Sequence, residues 1–444
     1  MAWEFSTDPE FQAKLDWMAG FVRDDIEPLD LLWPHLHHTP PPAWLKAVID
    51  PLKAQTKARG LWATHLEPAL GGKGYGQVKL ALMNEIVGRS PWAPTIFGIQ
   101  GPDTGNAELL AHYGTPAQKE RYLKPLLEGE MFSAFSMTEP QAGADPSYFT
   151  TRARKLASGE WEIEGEKFYT SNGPNASLLI VIAITDPDVP VHKGASMFLV
   201  PSDTPGIEWV RYTGFMGHTP DVARGEFAHP HVRYNRVRIP GDHLVGREGE
   251  GFKVAQTRLS GGRIHHAMRT VSICKWALDM MCERALSRHA FGGPVSEKQA
   301  VQQFIADSYA QIEMFRLFVL QTAWRIDNGH EGYTHMLRRD IALAKTWAYK
   351  LHRDVVERAI HVYGALGCSD ETPLARLWME APSQGVMDGP YEAHQATAAR
   401  QILKDYAPSV GVWPSEWLPA KREAARARYA GALAAQAANE EARD

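Results

Sequence analysis

The sequence predicts an α+β fold in which helices come first, a β-rich domain is inserted, and a helical bundle follows. Three observations predict it. Apolar residues recur at spacings of three and four up to about residue 132, alternate between about 133 and 245, and return to long helical stripes from about 246. At about 150 residues per domain, a chain of 444 residues, 44% of them hydrophobic, has room for about three domains with full cores.

In the first zone, residues 1–132, the clearest stripe is Phe11, Leu15, Met18, Val22 and Ile26, which lie on one face of a helix. Asp8-Pro9 ahead of it supplies an N-cap and a first-turn proline. Thr115-Pro116-Ala117-Gln118 matches a capping box with proline at its first helical position. Between them, Leu70-Gly71-Gly72-Lys73-Gly74-Tyr75-Gly76 reads as a glycine-rich loop. It lacks the Gly-Lys-Ser/Thr ending and a preceding strand, so it is not a phosphate-cradling loop.

The second zone, 133–245, changes period. Trp161 and Ile163 alternate with acidic residues, Leu178–Ile184 is a β-branched run, Met197–Val200 follows, and Val237 and Ile239 alternate again. The third zone, 246–410, carries three stripes: Val271, Cys274, Leu278, Met281 and Ala285; Val301, Ile305, Ser308, Ile312, Phe315 and Val319; then Ile341, Ala344, Ala348, Leu351, Val355 and Val362. Successive amphipathic helices of this length form a bundle. Ser296-Glu297-Lys298-Gln299 reads as the cap of the second. Residues 411–444, rich in Ala, Arg and Glu, read as a solvated helix or frayed tail. No repeat with a period of about 20 to 50 residues is visible.

Composition excludes several function classes. With 47 basic and 52 acidic residues, net −5, there is no basic footprint for nucleic acid. Cys274, Cys282 and Cys368 lie far apart, which argues against a disulfide framework and fits a reducing cytoplasm. The start, Met1-Ala2-Trp3-Glu4-Phe5, has neither a basic nor an apolar leader region, and no stretch reaches about 18 apolar residues, so an untargeted soluble protein is expected. Despite 18 histidines there is no His-Glu-x-x-His motif, and the adjacent pairs His37-His38 and His265-His266 point their rings apart, so no metal is expected. A Gly-x-Ser-x-Gly elbow is also lacking. Asn175-Ala176-Ser177 matches a glycosylation sequon, a chance match without a secretory signal. An aromatic fraction of 10%, with 14 Trp, suggests large packed interfaces or a flat ligand.

The most informative segment is Ser136-Met137-Thr138-Glu139-Pro140-Gln141-Ala142-Gly143-Ala144-Asp145, at the passage from helices to strands. Glu-Pro followed by small residues is a turn that lets a backbone approach a ligand closely. Further on, Lys167-Phe168-Tyr169-Thr170-Ser171-Asn172-Gly173 ends in Asn-Gly, a hairpin signal. Together these segments resemble the acyl-CoA dehydrogenase family, and the resemblance continues in order. Arg288, Phe291, Gly292 and Gln299 look like the family's Arg, Phe-Gly and Gln element. His361, Gly364, Ala365 and Gly367 look like its Gln, Gly-Gly and Gly element, followed by Glu371, Arg376 and Glu380. The match runs from about residue 10 to about 405.

The resemblance implies an N-terminal helical domain, a middle β-barrel domain and a C-terminal four-helix bundle, with FAD held between them and a neighbouring subunit completing the site. By position, Phe135, Met137 and Thr138 would lie along the isoalloxazine, and Tyr169 and Ser171 at its other edge. An aromatic can stack on a flat ring and a hydroxyl can donate to flavin N5 or O4. Arg288, Phe291 and Gln299 would reach the FAD of the adjacent subunit, where a guanidinium suits a pyrophosphate. Gln299 also fits the capping box, and Arg288 a solvated helix end. His361, Gly364, Pro390 and Glu392 complete the implied FAD contacts, and Ala144, Arg263 and Gly389 the substrate contacts. Ala144 stands where the family usually has Ser or Thr, His361 where it has Gln, Ala365 where it has the second Gly, and Tyr169 where Trp is common.

Dehydrogenating an acyl thioester needs a base for the α-proton, donors at the thioester oxygen and a hydride acceptor over the β-carbon. In most of the family the base is the Glu of a Glu-Gly pair. Here Met387-Asp388-Gly389-Pro390-Tyr391-Glu392-Ala393-His394 puts Asp388 in that place, one methylene or about 1.5 Å shorter. Asp-Gly-Pro is also a common turn sequence, and Glu392 is the second candidate for the base. Family members that carry the base on a bundle helix have it beside the arginine matching Arg263, where this chain has Gly262. Arg263 would brace the base loop or the thioester, or serve as a buried ion-pair partner. The Gly262–His266 and Asp388–His394 stretches look most like a subgroup acting on long-chain or 4-hydroxylated acyl-CoA thioesters.

The expected reaction is oxidation of an acyl-CoA to a trans-2-enoyl-CoA by a homodimer or homotetramer in the cytoplasm, in fatty-acid β-oxidation, with an electron-transfer flavoprotein as electron acceptor. The scaffold also supports acyl-CoA oxidases that use O2, nitroalkane oxidases with an Asp base, and a non-catalytic acyl-CoA or flavin binder. Nitroalkane oxidases pair their Asp with a downstream arginine, where Gln395 stands here.

Overall fold

A computed structural model describes residues 7–37, 39–224, 226, 229–329 and 334–442. Met1–Phe5 and His38, both used in the sequence reading, lie outside the described residues, as do the side chains of Leu259 and Ser260. The chain forms two compact units, one to Ala398 and one from Ala399.

The first unit begins with helix α1, Pro9–Phe21, capped by the Asp8 carboxylate accepting from the Phe11 N–H at 2.8 Å. All five residues of the stripe predicted there are buried. Helices α2 (Ala43–Ala58), α3 (Gly76–Val87) and α4 (Asp103–Tyr113) follow. The capping box at Thr115 forms in both directions, with Gln118.

An eight-stranded sheet comes next, in the order β6-β7-β3-β2-β4-β5-β8, with β1 alongside β4. Its strands are β1 Ser133–Ser136, β2 Arg152–Lys155, β3 Trp161–Lys167, β4 Leu178–Ile184, β5 Ala195–Pro201, β6 Ile207–Thr213, β7 His229–Ile239 and β8 Leu244–Val245. The apolar run Leu178–Ile184 is buried at every position because β4 pairs on both sides, parallel to β1 and antiparallel to β5. The hairpin signal at Asn172-Gly173 is corrected. Asn172 does turn the chain, with φ of 63°, but β3 pairs with β2 and β7 while β4 pairs with β1, β2 and β5. The turn therefore carries the chain across the sheet rather than back along it.

The bundle consists of α5 (Gly251–Ser287), α6 (Gln299–Asp327), α7 (Thr334–Tyr363), α8 (Leu374–Val386) and α9 (Tyr391–Ile402). The Ser296 capping box does not form. Helix α6 starts at Gln299 after Lys298, no side chain caps it, and Ser296 instead accepts from Gln302 through its carbonyl. The earlier helices and the bundle share one hydrophobic core that includes Phe11, Met18, Met83, Trp92, Ile264, Val271, Val319 and Val355. A close approach fixes part of it: a Cβ on Gly88 would stand 2.6 Å from the Arg269 Cα, so only glycine lets α3 end against α5 there. Truncating one of these buried Leu, Ile or Met side chains to Ala costs about 2–5 kcal/mol.

The second unit holds the helices Leu418–Arg428 and Ala430–Glu441, neither of which buries a residue. The Trp413 and Trp417 rings stack at 4.5 Å.

Candidate active site

Two segments predicted to meet a ligand are stitched together by hydrogen bonds. The Phe168 N–H donates to the Thr138 carbonyl at 2.8 Å. The buried hydroxyls of Ser136, Thr170 and Tyr234 form a chain, with Ser136 Oγ 2.9 Å from Thr170 Oγ1 and 2.8 Å from the Tyr234 hydroxyl. Phe135, Met137 and Thr138 are half-buried beside this chain. Tyr169 remains 47% exposed, its ring 3.6 Å from that of Phe168, so an aromatic face stands open to solvent next to the half-buried strip. Ser171 Oγ lies 2.7 Å from His229 Nδ1, and burial pushes His229 down to about 4, keeping the imidazole neutral.

Under these segments lies an ion pair absent from the sequence reading. Lys167 and Glu139 are fully buried, with Nζ 2.9 Å from Oε1. Lys167 also donates to the Met137 carbonyl at 2.7 Å, and Glu139 accepts from the Thr150 and Thr151 N–H groups at 2.6 and 3.0 Å. Burial pushes the Lys167 ammonium down to about 8, and Glu139 opposes the shift. Burial is the largest single influence on the Glu139 carboxyl and raises it, but the Lys167 charge and hydrogen bond together with the Thr150 and Thr151 donors outweigh it and hold the group below its ordinary value. The two directions favour opposite forms of the pair. We read it as ionised, because the carboxylate oxygens accept N–H bonds that only the anion fully uses.

The loop between α8 and α9 presents Asp388, which has φ of 53°, followed by Gly389 with φ of 101°. Arg263 Nη2 donates to the Asp388 carbonyl at 3.2 Å, and His394 Nε2 donates to the same oxygen at 3.1 Å. That assigns the Nε2–H tautomer to His394. Burial, then the charge of Arg263, holds His394 below the usual histidine range. Arg263 thus holds the loop between α8 and α9 through that loop's backbone.

Sequence reasoning missed Lys345, on α7. It is only 5% exposed and donates to the Gln384 carbonyl near the end of α8. Burial lowers its ammonium to about 8, Asp388 acting to raise it and Arg263 to lower it. A signal existed: Ile341, Lys345, Ala348 and His352 fall at spacings of four, three and four, the period of one buried helix face. The Gln384 side chain ties the helices together, accepting from Thr270 Oγ1 at 2.8 Å and lying 3.0 Å from His352 Nδ1.

A second missed feature is a cavity of about 30 Å³, room for ordered water, lined by His65, Gln77, Thr104, Glu108, Gly262 and His265. It borders the residue next to Arg263. Burial pushes His65 down to about 4 and His265 to about 3, so both rings are neutral. Both ring nitrogens of His65 and Nε2 of His265 lack a hydrogen-bond partner among the described residues. A larger cavity of about 720 Å³, lined by residues such as Trp33, His35, Trp44 and Glu226, shares no residue with the segments above.

Other predicted residues lie apart from these. Arg288, Phe291 and Gln299 surround a small hairpin, His289–Ala290 with Gly293–Pro294, where Phe291 is 98% exposed with φ of 51°. His361 and Gly364 are exposed at the end of α7, Glu392 is exposed in the first turn of α9, and Ala144 is exposed beyond Thr138. Pro390 is half-buried next to Gly389. Among the described residues no cluster of three or more His, Cys, Asp or Glu could hold a metal ion, and no helix is long and apolar enough to cross a membrane.

Comparison with known proteins gives a consistent result. Family models described as the N-terminal, middle and C-terminal domains of acyl-CoA dehydrogenase match residues 8–130, 134–225 and 249–403. The chain is 39% identical over 404 residues to the probable acyl-CoA dehydrogenase FadE2 of Mycobacterium tuberculosis, covering 90% of this chain and 93% of that protein. It is 38% identical over 363 residues to rat acyl-CoA dehydrogenase family member 11, covering 81% of this chain and 45% of that longer protein. The solved structure of butyryl-CoA dehydrogenase from Megasphaera elsdenii matches with a TM-score of 0.77 and 27% identity, covering 90% of this chain and all of that one.

Proposed function

Since the chain belongs to the acyl-CoA dehydrogenase family of FAD-dependent oxidoreductases, we propose that it removes the α-proton and β-hydride of an acyl-CoA thioester to give a trans-2-enoyl-CoA, with Asp388 as the base. The observation that carries this reading is the base loop. Asp388 is held in an uncommon backbone conformation by Arg263 and His394, both donating to its own carbonyl, at the family's base position.

The residues present fit FAD. An exposed aromatic, Tyr169, stands beside the half-buried strip Phe135, Met137 and Thr138, with the Ser171 hydroxyl at one edge, as a flat ring with a polar rim requires. On the hairpin, the nearly fully exposed Phe291, with Arg288 and Gln299, suits an aromatic and phosphate ligand shared with a second copy of the chain. His361, Gly364, Pro390 and Glu392 would add the remaining cofactor contacts, and Gly389, Arg263 and Ala144 would face the thioester. FAD, when bound, supplies the acceptor for the hydride.

The chain's own residues do the rest. The Asp388 carboxylate takes the α-proton, and its backbone N–H donates to the thioester oxygen as charge develops there. Arg263 and His394 keep the loop from yielding as the proton moves. The Lys167–Glu139 pair holds the Met137 carbonyl and the turn after it, fixing the strip on which the ring rests. The substrate class assigned is a long-chain or 4-hydroxylated acyl-CoA thioester, on the likeness of the Gly262–His266 and Asp388–His394 stretches to the subgroup acting on these. The free cysteines fit a reducing cytoplasm. We assign the onward electrons to an electron-transfer flavoprotein rather than O2.

The test is anaerobic bleaching of the purified yellow holoenzyme by a panel of acyl-CoA thioesters, including 4-hydroxyacyl ones. Bleaching is expected in the native protein, with a rate reduced by about 10³-fold or more in Asp388→Asn. Flavin reduction by Asp388→Asn at the native rate with every thioester would reject Asp388 as the base. Rapid peroxide release under air would turn the reading to an oxidase.

A further inference from the structure

The Ser171 hydroxyl stands at one edge of the strip read as the bed of the flavin, and its recorded partner is a histidine that the reaction above does not use. Ser171 Oγ lies 2.7 Å from His229 Nδ1. A serine hydroxyl owns one hydrogen, so this contact has two forms with opposite consequences. If the hydroxyl donates to Nδ1, its hydrogen is consumed and only lone pairs face outward. If Nδ1–H donates to Oγ, the hydroxyl hydrogen is left for a third group.

The imidazole is held in place by the fold. His229 is the first residue of β7 and pairs with Thr213 of β6, so the sheet sets where its Cα stands. The Phe215 ring packs on the imidazole at 4.5 Å, and the Tyr169 ring meets it edge-on at 6.3 Å and 87°. Phe215 is itself presented by a turn in which Phe215 and His218 exchange both backbone hydrogen bonds, at 2.9 and 3.0 Å. Aromatic neighbours of this kind fix the plane of a ring without competing for its nitrogens. Being neutral, the imidazole carries one N–H and one bare nitrogen, and which is which follows from the bonds they make. Flavin N5 and O4 are acceptors in the oxidised ring, and a lone pair facing an acceptor is repelled. The Nδ1–H tautomer is therefore the one that lets Ser171 serve them.

We propose that His229 is a positioning residue: its Nδ1–H donates to Ser171 Oγ and so directs the hydroxyl hydrogen at the accepting edge of the flavin. No proton is transferred; the imidazole only orients. This rests on the reading of Ser171 as a cofactor contact and adds the group that decides what Ser171 presents. A donor aimed at atoms that gain electron density on reduction favours the reduced form.

The experiment equilibrates the holoenzyme, without oxygen, with a partly reduced reference dye and reads the ratio of reduced to oxidised flavin from its absorbance. A hydrogen bond to the ring changes that ratio by about fivefold. Ser171→Ala and His229→Phe should each lower it by about that factor, and the double variant should fall no further, because His229 acts only through the hydroxyl. His229→Asn, whose amide nitrogen can take the place of Nδ1–H, should stay close to native, whereas His229→Gln, one methylene longer, should behave like His229→Phe. Three outcomes overturn the proposal: a double variant that shows the product of the single losses, about 25-fold; a native ratio in His229→Phe while Ser171→Ala is shifted; or a rise in both single variants, which would make the hydroxyl an acceptor. If His229→Phe does not retain flavin, the Asn and Gln variants decide, and equal ratios in the two refute the assignment. A native ratio in Ser171→Ala would remove Ser171 from the flavin edge and this proposal with it. The base assignment is judged separately, by the bleaching of Asp388→Asn.

Discussion

Gly389→Ala perturbs the Asp388 loop without altering Asp388, the proposed base. Gly389 has φ of 101°, which an L-residue adopts only at a cost of about 1–3 kcal/mol. A Cβ there would stand 2.9 Å from His394 Nε2, inside the roughly 3.5 Å at which non-bonded heavy atoms rest. His394 would have to retreat by about half an ångström. Its 3.1 Å bond to the Asp388 carbonyl would then pass the limit of a real hydrogen bond and forfeit about 1 kcal/mol. Together these effects cost about 2–4 kcal/mol, concentrated in one loop. Because misplacement of a reacting group by about 1 Å can cost about 10²-fold in rate, the half-ångström shift should slow flavin reduction roughly tenfold. Stopped-flow reduction by an acyl-CoA without oxygen reads the rate, and thermal unfolding reads the stability. The double variant Gly389→Ala/His394→Ala removes the clash but not the backbone strain, so it should melt higher than the two separate losses would add up to. A single variant that reduces its flavin at the native rate and melts at the native temperature would refute the reasoning.

Two further predictions concern stability. Lys167→Met should cost about 2–4 kcal/mol, less than a typical broken buried pair because Glu139 keeps the Thr150 and Thr151 N–H bonds; the urea midpoint should fall and less flavin should co-purify. An unchanged midpoint would mean that the pair is not ionised. Asp103 is buried, and burial raises its carboxyl to about 6, although Ser133 and Gln100 donate to it. The folded state therefore holds this proton more tightly than the unfolded one, and the associated stability is complete below about pH 4 and lost as pH rises through about 6. The stability of the native protein relative to Asp103→Asn should thus drop by about 2–3 kcal/mol between pH 4 and 7, read from paired urea titrations. A constant difference would argue against the buried carboxyl.

Local signals transferred well where one segment contains both partners of an interaction. Asp8 with Phe11 and Thr115 with Gln118 are three residues apart, so the cap is fixed by its own turn. They transferred poorly where a distant segment competes. Ser296 and Gln299 have capping-box spacing, but the chain leaves the hairpin extended at Lys298 and starts the helix there. Asn172-Gly173 turns the chain as its sequence requires, but strand pairing across the sheet, not the turn, selects the neighbours of β3 and β4.

The sequence by itself determined the alternation of helical and strand periods, the helix starts at Asp8 and Thr115, and the ordered motifs that carry the family resemblance. These are short-range or pattern properties, and physics reads them one residue after another. Tertiary structure alone decided which side chains lose their water. Lys167 met Glu139 across 28 residues, Lys345 met the Gln384 carbonyl across 39, and Arg263 met the Asp388 carbonyl across 125. Whether a lysine is a solvated surface charge or a buried counter-ion depends on the dielectric around it, and that is set by packing of segments far apart in the chain.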